Sequence, residues 1–139
     1  LAGCRATLGD RHPSTLTSIG NLAVLLKAMG EREAARPLYE EALAGCRATL
    51  GDRHPNTLTS IGNLAELLKA MGEREAARPL YEEALAGCRA TLGDRHPRTL
   101  ASINNLADLL KEMGEREAAR PLYEEDLAGC RATLGDRHP

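Results

Sequence analysis

The sequence predicts an all-α solenoid of stacked antiparallel helical hairpins, and three observations carry that expectation. The phrase LAGCRATLGDRHP occurs unchanged from Leu1, Leu43, Leu85 and Leu127, so the chain repeats every 42 residues. A fixed period of about 20–50 residues marks a solenoid, a propeller or another array. Within each repeat the apolar residues recur three and four positions apart, the spacing that gathers them on one face of a helix. The β-branched alternation that propeller strands need is missing. Each apolar stripe then stops at a glycine, the residue that most readily takes the left-handed conformation closing a helix.

The elements follow in order. Residues 1–13 read as the last half of a second helix plus a link, and 14–55, 56–97 and 98–139 as three complete units of one array. The first helix of the first unit is expected over Pro13 to Met29, its stripe running through Leu16, Ile19, Leu22, Ala23, Leu26 and Met29 before Gly30. The second is expected over Glu31 to Leu50, through Ala35, Leu38, Tyr39, Ala42, Leu43, Cys46 and Leu50 before Gly51. Glu31 and Glu33 sit in its first turn, where the positive end of the helix dipole favours them. Pro37 cannot donate to the carbonyl of Glu33, so this helix either starts later than Glu31 or bends there. Gly45 is interior at a cost of about 1 kcal/mol relative to Ala, which points to a neighbouring helix passing close by. In the Asp-Arg-His-Pro link, Asp can cap and Pro belongs in the first turn of the next helix. One such hairpin cannot bury its apolar face alone, whereas stacked neighbours can.

Composition narrows the function. The charge is −2, from 18 basic and 20 acidic side chains that are interspersed. No basic stripe suggests nucleic acid. With three Tyr and no Phe or Trp, there is no aromatic platform for stacking bases. No apolar run approaches the roughly 20 residues of a membrane span, and no charged segment with an apolar core marks a signal peptide. Neither nucleic acid nor membrane is expected as a partner.

Cys4, Cys46, Cys88 and Cys130 are spaced by one repeat. Equivalent positions in stacked layers stand farther apart than the roughly 7 Å a disulfide tolerates, so packed, reduced thiols and a cytoplasmic setting are expected. His12, His54, His96 and His138 lie in the links without the ligand spacings of zinc sites. A Cys–His nucleophile pair would recur identically in every layer. There is no Gly-rich phosphate loop, no G-x-S-x-G and no carboxylate pair in an apolar setting. The expectation is a protein without catalytic activity, metal or cofactor.

The packing residues Ile19, Leu22, Ala23, Leu26, Ala35, Tyr39 and Ala42 resemble the small and large positions of tetratricopeptide repeats. The run Asn21 to Ala23, the Met-Gly turn, the Pro-Leu-Tyr-Glu-Glu-Ala-Leu run and the link Leu50 to Leu58 resemble the 42-residue variety found in kinesin light chains. The resemblance covers essentially the whole chain. It implies a right-handed superhelix in which the first helix of each hairpin lines a concave groove.

Only six columns differ between units, those beginning at Ser14, Thr17, Gly20, Val24, Ala28 and Ala42. Five of these lie at steps of three and four on one face of the first helix, opposite much of the Leu stripe, so that face should meet solvent. By resemblance it is the groove floor. Asn21, Asn63 and Asn105 share it beside Lys27, Lys69 and Lys111, and an amide can both donate to and accept from an extended peptide backbone. The candidate groove residues are therefore Asn21, Val24, Lys27, Asn63, Glu66, Lys69, Asn104, Asn105, Asp108 and Lys111. The lysines are offset by Glu66 and Asp108, Gly20 and Gly62 should leave the groove shallow, and no pocket of strong character is expected. Two functions fit: a scaffold binding a protein partner's peptide or helix in the groove, or a structural or model array, natural or designed, that stacks without a dedicated ligand. Since Leu127–Pro139 repeats Leu1–Pro13, one molecule could take the place of that opening segment in the next and associate head to tail.

Overall fold

In the computed structural model, which describes residues 13–133 and the side chains of 15–132, the described residues form six α-helices and no strand. They are α1 (Pro13–Ala28), α2 (Arg32–Leu50), α3 (Pro55–Ala70), α4 (Arg74–Leu92), α5 (Pro97–Glu112) and α6 (Arg116–Thr133). The helices divide between two compact units, Leu1–Glu73 and Arg74–Pro139. In the first, α2 packs against both α1 and α3; in the second, α5 packs against both α4 and α6.

The expected turn is present, with tighter limits. α1 stops at Ala28 and α2 starts at Arg32, so Met29 and Glu31 fall outside the helices. Gly30 takes φ 83°. Its N–H donates to the Lys27 carbonyl at 3.0 Å, and that of Glu31 to Leu26 at 2.8 Å. These paired bonds close the orphan carbonyls of α1. Glu31 then opens α2, its carbonyl accepting from Ala35 N–H at 3.0 Å. The same turn recurs at Gly72 and Gly114. α2 runs through Pro37, beginning one residue later than Glu31. The carbonyl of Glu33 that Pro37 cannot serve belongs to an exposed residue, where water can satisfy it.

The link corrects the expectation about capping. His54 is the N-cap of α3, and its imidazole Nδ1 accepts from the Asn56 N–H at 3.0 Å, with Pro55 at the first helical position. His96 repeats this on Arg98. Pro fixes the cap at the residue just before it, leaving Asp52 two positions too early. Asp52 instead accepts from Arg47 Nη1 at 3.0 Å.

The core between α1 and α2 consists of Leu16, Ile19, Ala42 and Cys46, with Leu38 at its edge. Gly45 shows the expected close approach. A Cβ there would collide with Leu16 Cδ2, and one at Gly129 would lie 2.5 Å from Leu100 Cδ2. Leu16 of α1 and Leu100 of α5 thus rest on the backbones of α2 and α6.

Ion pairs join neighbouring layers. Arg36 Nη1 meets Glu73 Oε2 at 2.7 Å, and its counterpart Arg78 meets Glu115 at 2.8 Å. Arg89 grips Glu125 with two bonds, of 2.5 and 2.9 Å. That bidentate contact holds the Glu125 carboxyl below its usual range.

Helices of identical pattern differ in cover. α5 has a neighbour on each side, and its Leu109 is 0% exposed; the equivalent Leu25 of α1, packed among the described residues chiefly against α2, is 54% exposed. Leu43 of α2, between α1 and α3, is 6% exposed, and its equivalent Leu127 of α6 is 50% exposed.

Candidate functional site

The differing columns of the first helices are exposed or half-buried wherever their side chains are described. Thr17, Val24 and Ala28 are exposed and Gly20 is half-buried on α1; Thr59, Glu66 and Ala70 are exposed on α3; and Ala101 and Glu112 are exposed on α5, where Asn104 and Asp108 are half-buried. Among the amides, Asn21 is exposed, whereas Asn63 and Asn105 are half-buried. Lys27 and Lys69 are half-buried and Lys111 is exposed.

The charges on this face are partly spent within the protein. Lys27 Nζ lies 3.6 Å from Glu66 Oε2. The Tyr123 hydroxyl donates to Asp108 Oδ1, which pushes the phenol up to about 12. Burial and the nearby Glu66 carboxylate raise the Tyr39 phenol in the same direction. Sequence reasoning placed the acids correctly on the first helix but missed these tyrosines, which reach them from the second.

A cleft of about 400 Å³ opens between α1 and α3 over α2. Leu16, Ala42 and Cys46 supply apolar surface, while Thr17, Thr49, Thr59, Ser60, His54 and Asn56 supply polar groups. No lining residue carries a formal charge when His54 is neutral. Gly20 faces open space, since a Cβ at that position would meet nothing within 4 Å. The Cys46 thiol lies 3.7 Å from the Ser60 hydroxyl, and the His54 Nδ1 is engaged as a cap. The sequence held a signal for this cleft: four of the six differing columns line it, through Asn56, Thr17 with Thr59, Gly20 and Ala42. The three-dimensional meeting of the last column with the other three is what a helix-by-helix reading could not show.

Cys46 and Cys88 are buried and Cys130 is half-buried, and none of the three is in a disulfide; Cys4, His12 and His138 lie outside the described residues. Among the described residues no group of three or more His, Cys, Asp or Glu side chains is placed to hold a metal ion. No helix among them is long and apolar enough to cross a membrane.

Comparison with known proteins supports the repeat reading. The family model described as tetratricopeptide repeat matches residues 1–48, 20–90 and 62–132. The nearly identical TPR-like repeats of a kinesin light chain-like protein from Podosopora anserina are 34% identical, with a TM-score of 0.84 over 96% of this chain and 63% of that one. A single-substitution variant of those repeats gives 35% identity and a TM-score of 0.84 over 95% and 62%. The chain therefore spans less than two thirds of the length of those structures. BtubC (BKLC) from P. vanneervenii shares the fold, with a TM-score of 0.86 at 22% identity over 98% of this chain and 54% of that one. No curated protein sequence matches. With the repeat model matched along residues 1–132 and hairpins closed by the Gly30 and Gly114 turns, the chain belongs to the tetratricopeptide repeat family, its repeats similar to those of the kinesin light chain-like protein.

Proposed function

We infer that the protein is a non-catalytic scaffold that holds an extended peptide from a partner protein along the exposed face of its first helices. Tetratricopeptide repeats are in general protein-interaction modules, which supports the class of function. One observation supports the location: four of the six columns that distinguish the repeats meet in the cleft between α1 and α3. Elsewhere the repeats are nearly the same surface copied, so recognition that depends on position has its chemistry here. In this reading the amides of Asn21, Asn63 and Asn105 engage the peptide backbone. An uncharged peptide side chain enters the cleft, because its lining offers hydroxyls and apolar surface with no formal charge to pair. The lysines contribute little to a ligand's carboxylates, since Lys27 already faces Glu66. No cofactor takes part. The buried thiols of Cys46 and Cys88, in no disulfide, suit a reducing compartment such as the cytoplasm.

A displayed random-peptide library tests this on the wild type, on Asn63→Ala and on Gly20→Leu. The wild type should enrich a peptide class, Asn63→Ala should weaken its capture, and Gly20→Leu should abolish the preference for the side chain in the cleft. Featureless selection by all three proteins would overturn the reading.

A further inference from the structure

We propose that the outward face of α6 is a docking surface for the outward face of α1 in a second copy of this chain, repeating between molecules the packing of α2 on α3. The template lies within the first unit. There α2, with α1 on one side, covers α3 on the other through Tyr39, Leu43 and Cys46, all buried. α6 carries the same residues as Tyr123, Leu127 and Cys130. α5 packs along one side of it, and Leu127 is left 50% exposed. α1 carries the complementary set in Leu22, Leu25, Leu26 and Met29. Leu25 and Met29 are 54% and 61% exposed, whereas the Leu106, Leu109 and Leu110 equivalents on α5 are buried where α4 joins it. Two half-interfaces of one kind, facing outward on the same chain, are complementary by construction, because the sequence has copied both.

The polar contacts transfer as well. The Arg36–Glu73 pair of 2.7 Å becomes Arg120 on Glu31 of the second copy. The Arg89–Glu125 clamp becomes Arg131 on Glu41 of the second copy. Two columns break the copy. Val24 stands where Glu66 pairs with Lys27, so Lys111 keeps its solvent. Asp126 replaces Ala42, which in the template lines the cleft beside Thr59 and Ser60 rather than the tight Leu43 contact. In the docked pair, Asp126 therefore faces Thr17 and Ser18 of the second copy, whose hydroxyls can donate to its carboxylate. The contact joins two different faces, so each molecule keeps one free and the assembly grows with concentration. The inference is independent of any peptide bound along the first helices.

Sedimentation equilibrium on the full chain, from low to high micromolar protein, provides the test. The wild type should show an average mass rising steadily above that of the monomer. Leu25→Glu and Leu127→Glu alter side chains already half exposed, so circular dichroism should remain helical while each variant alone stays monomeric. An equimolar mixture of the two should form a species of twice the monomer mass and nothing larger, because each variant retains the face the other has lost. A wild type that stays monomeric throughout would overturn the proposal. So would variants that self-associate as the wild type does, or a mixture that remains monomeric.

Discussion

Tyr123 shows how a single group in this array depends on its layer. Tyr39, Tyr81 and Tyr123 occupy the same repeat position, but the first-helix column that supplies Asp108 reads Val24, Glu66 and Asp108 in turn. At Tyr123 the phenol donates to Asp108, which stabilises the protonated form and pushes its titration up to about 12. A raised folded value means the bond contributes fully below the ordinary tyrosine value of about 10 and is lost as pH rises through the folded one. The expected outcome is read from the difference in phenolate absorbance between wild type and Tyr123→Phe. The tyrosine so isolated should ionise near 12, and in an Asp108→Ala background near the ordinary value. No shift between the two backgrounds would remove the bond from the account. The partner acid was visible in the sequence as a differing column. Its engagement was not, because the phenol arrives from the following helix.

At the scale of the helix, the glycines separate into two kinds that look alike in sequence. Gly20 and Gly62 lie inside first helices, and a Cβ on either would touch nothing within 4 Å. Gly45 lies inside a second helix, where a Cβ would strike Leu16, itself held in the core with Ile19 and Cys46. Helix propensity alone favours Ala over Gly by about 1 kcal/mol at all three. At Gly20 and Gly62 nothing opposes that gain, so each Gly→Ala change should stabilise by about 0.5–1 kcal/mol. At Gly45 the displaced leucine costs about 1–3 kcal/mol, so Gly45→Ala should destabilise on balance. Urea unfolding of the three variants decides it, and a stabilised Gly45→Ala would show that Leu16 moves aside freely. The helices, their glycine stops and the close approach at Gly45 were all legible, because spacing and backbone chemistry are local. The cap was not. Asp is the commoner capping residue, and only the fixed position of Pro55 hands the role to the His54 imidazole.

Across the whole molecule the repetition makes the chain its own control. The hairpin pattern was legible because it is written three times, and the cleft was not, because its walls belong to residues as distant as Gly20 and Ser60. The same near-identity isolates what a neighbour contributes. Leu25 and Leu109 sit in matching stretches, before Leu26-Lys27 and Leu110-Lys111, and share the helical position and the local propensity. They differ in cover: Leu109 is 0% exposed between α4 and α6, and Leu25 is 54% exposed on a helix packed among the described residues chiefly against α2. Truncating a fully buried leucine costs about 2–5 kcal/mol, through lost transfer energy and the cavity left behind. A half-exposed one forfeits only part of the transfer term and leaves no enclosed cavity, so Leu25→Ala should cost about 1 kcal/mol or less. The measurement is a pair of urea transitions at low micromolar protein, where association contributes least. Equal losses would mean that Leu25 is as well covered in solution as Leu109, and the outward face of α1 would no longer be available to a second molecule. A large gap would place most of the stability of each helix in the layer beside it, as expected for an array whose units rely on their neighbours.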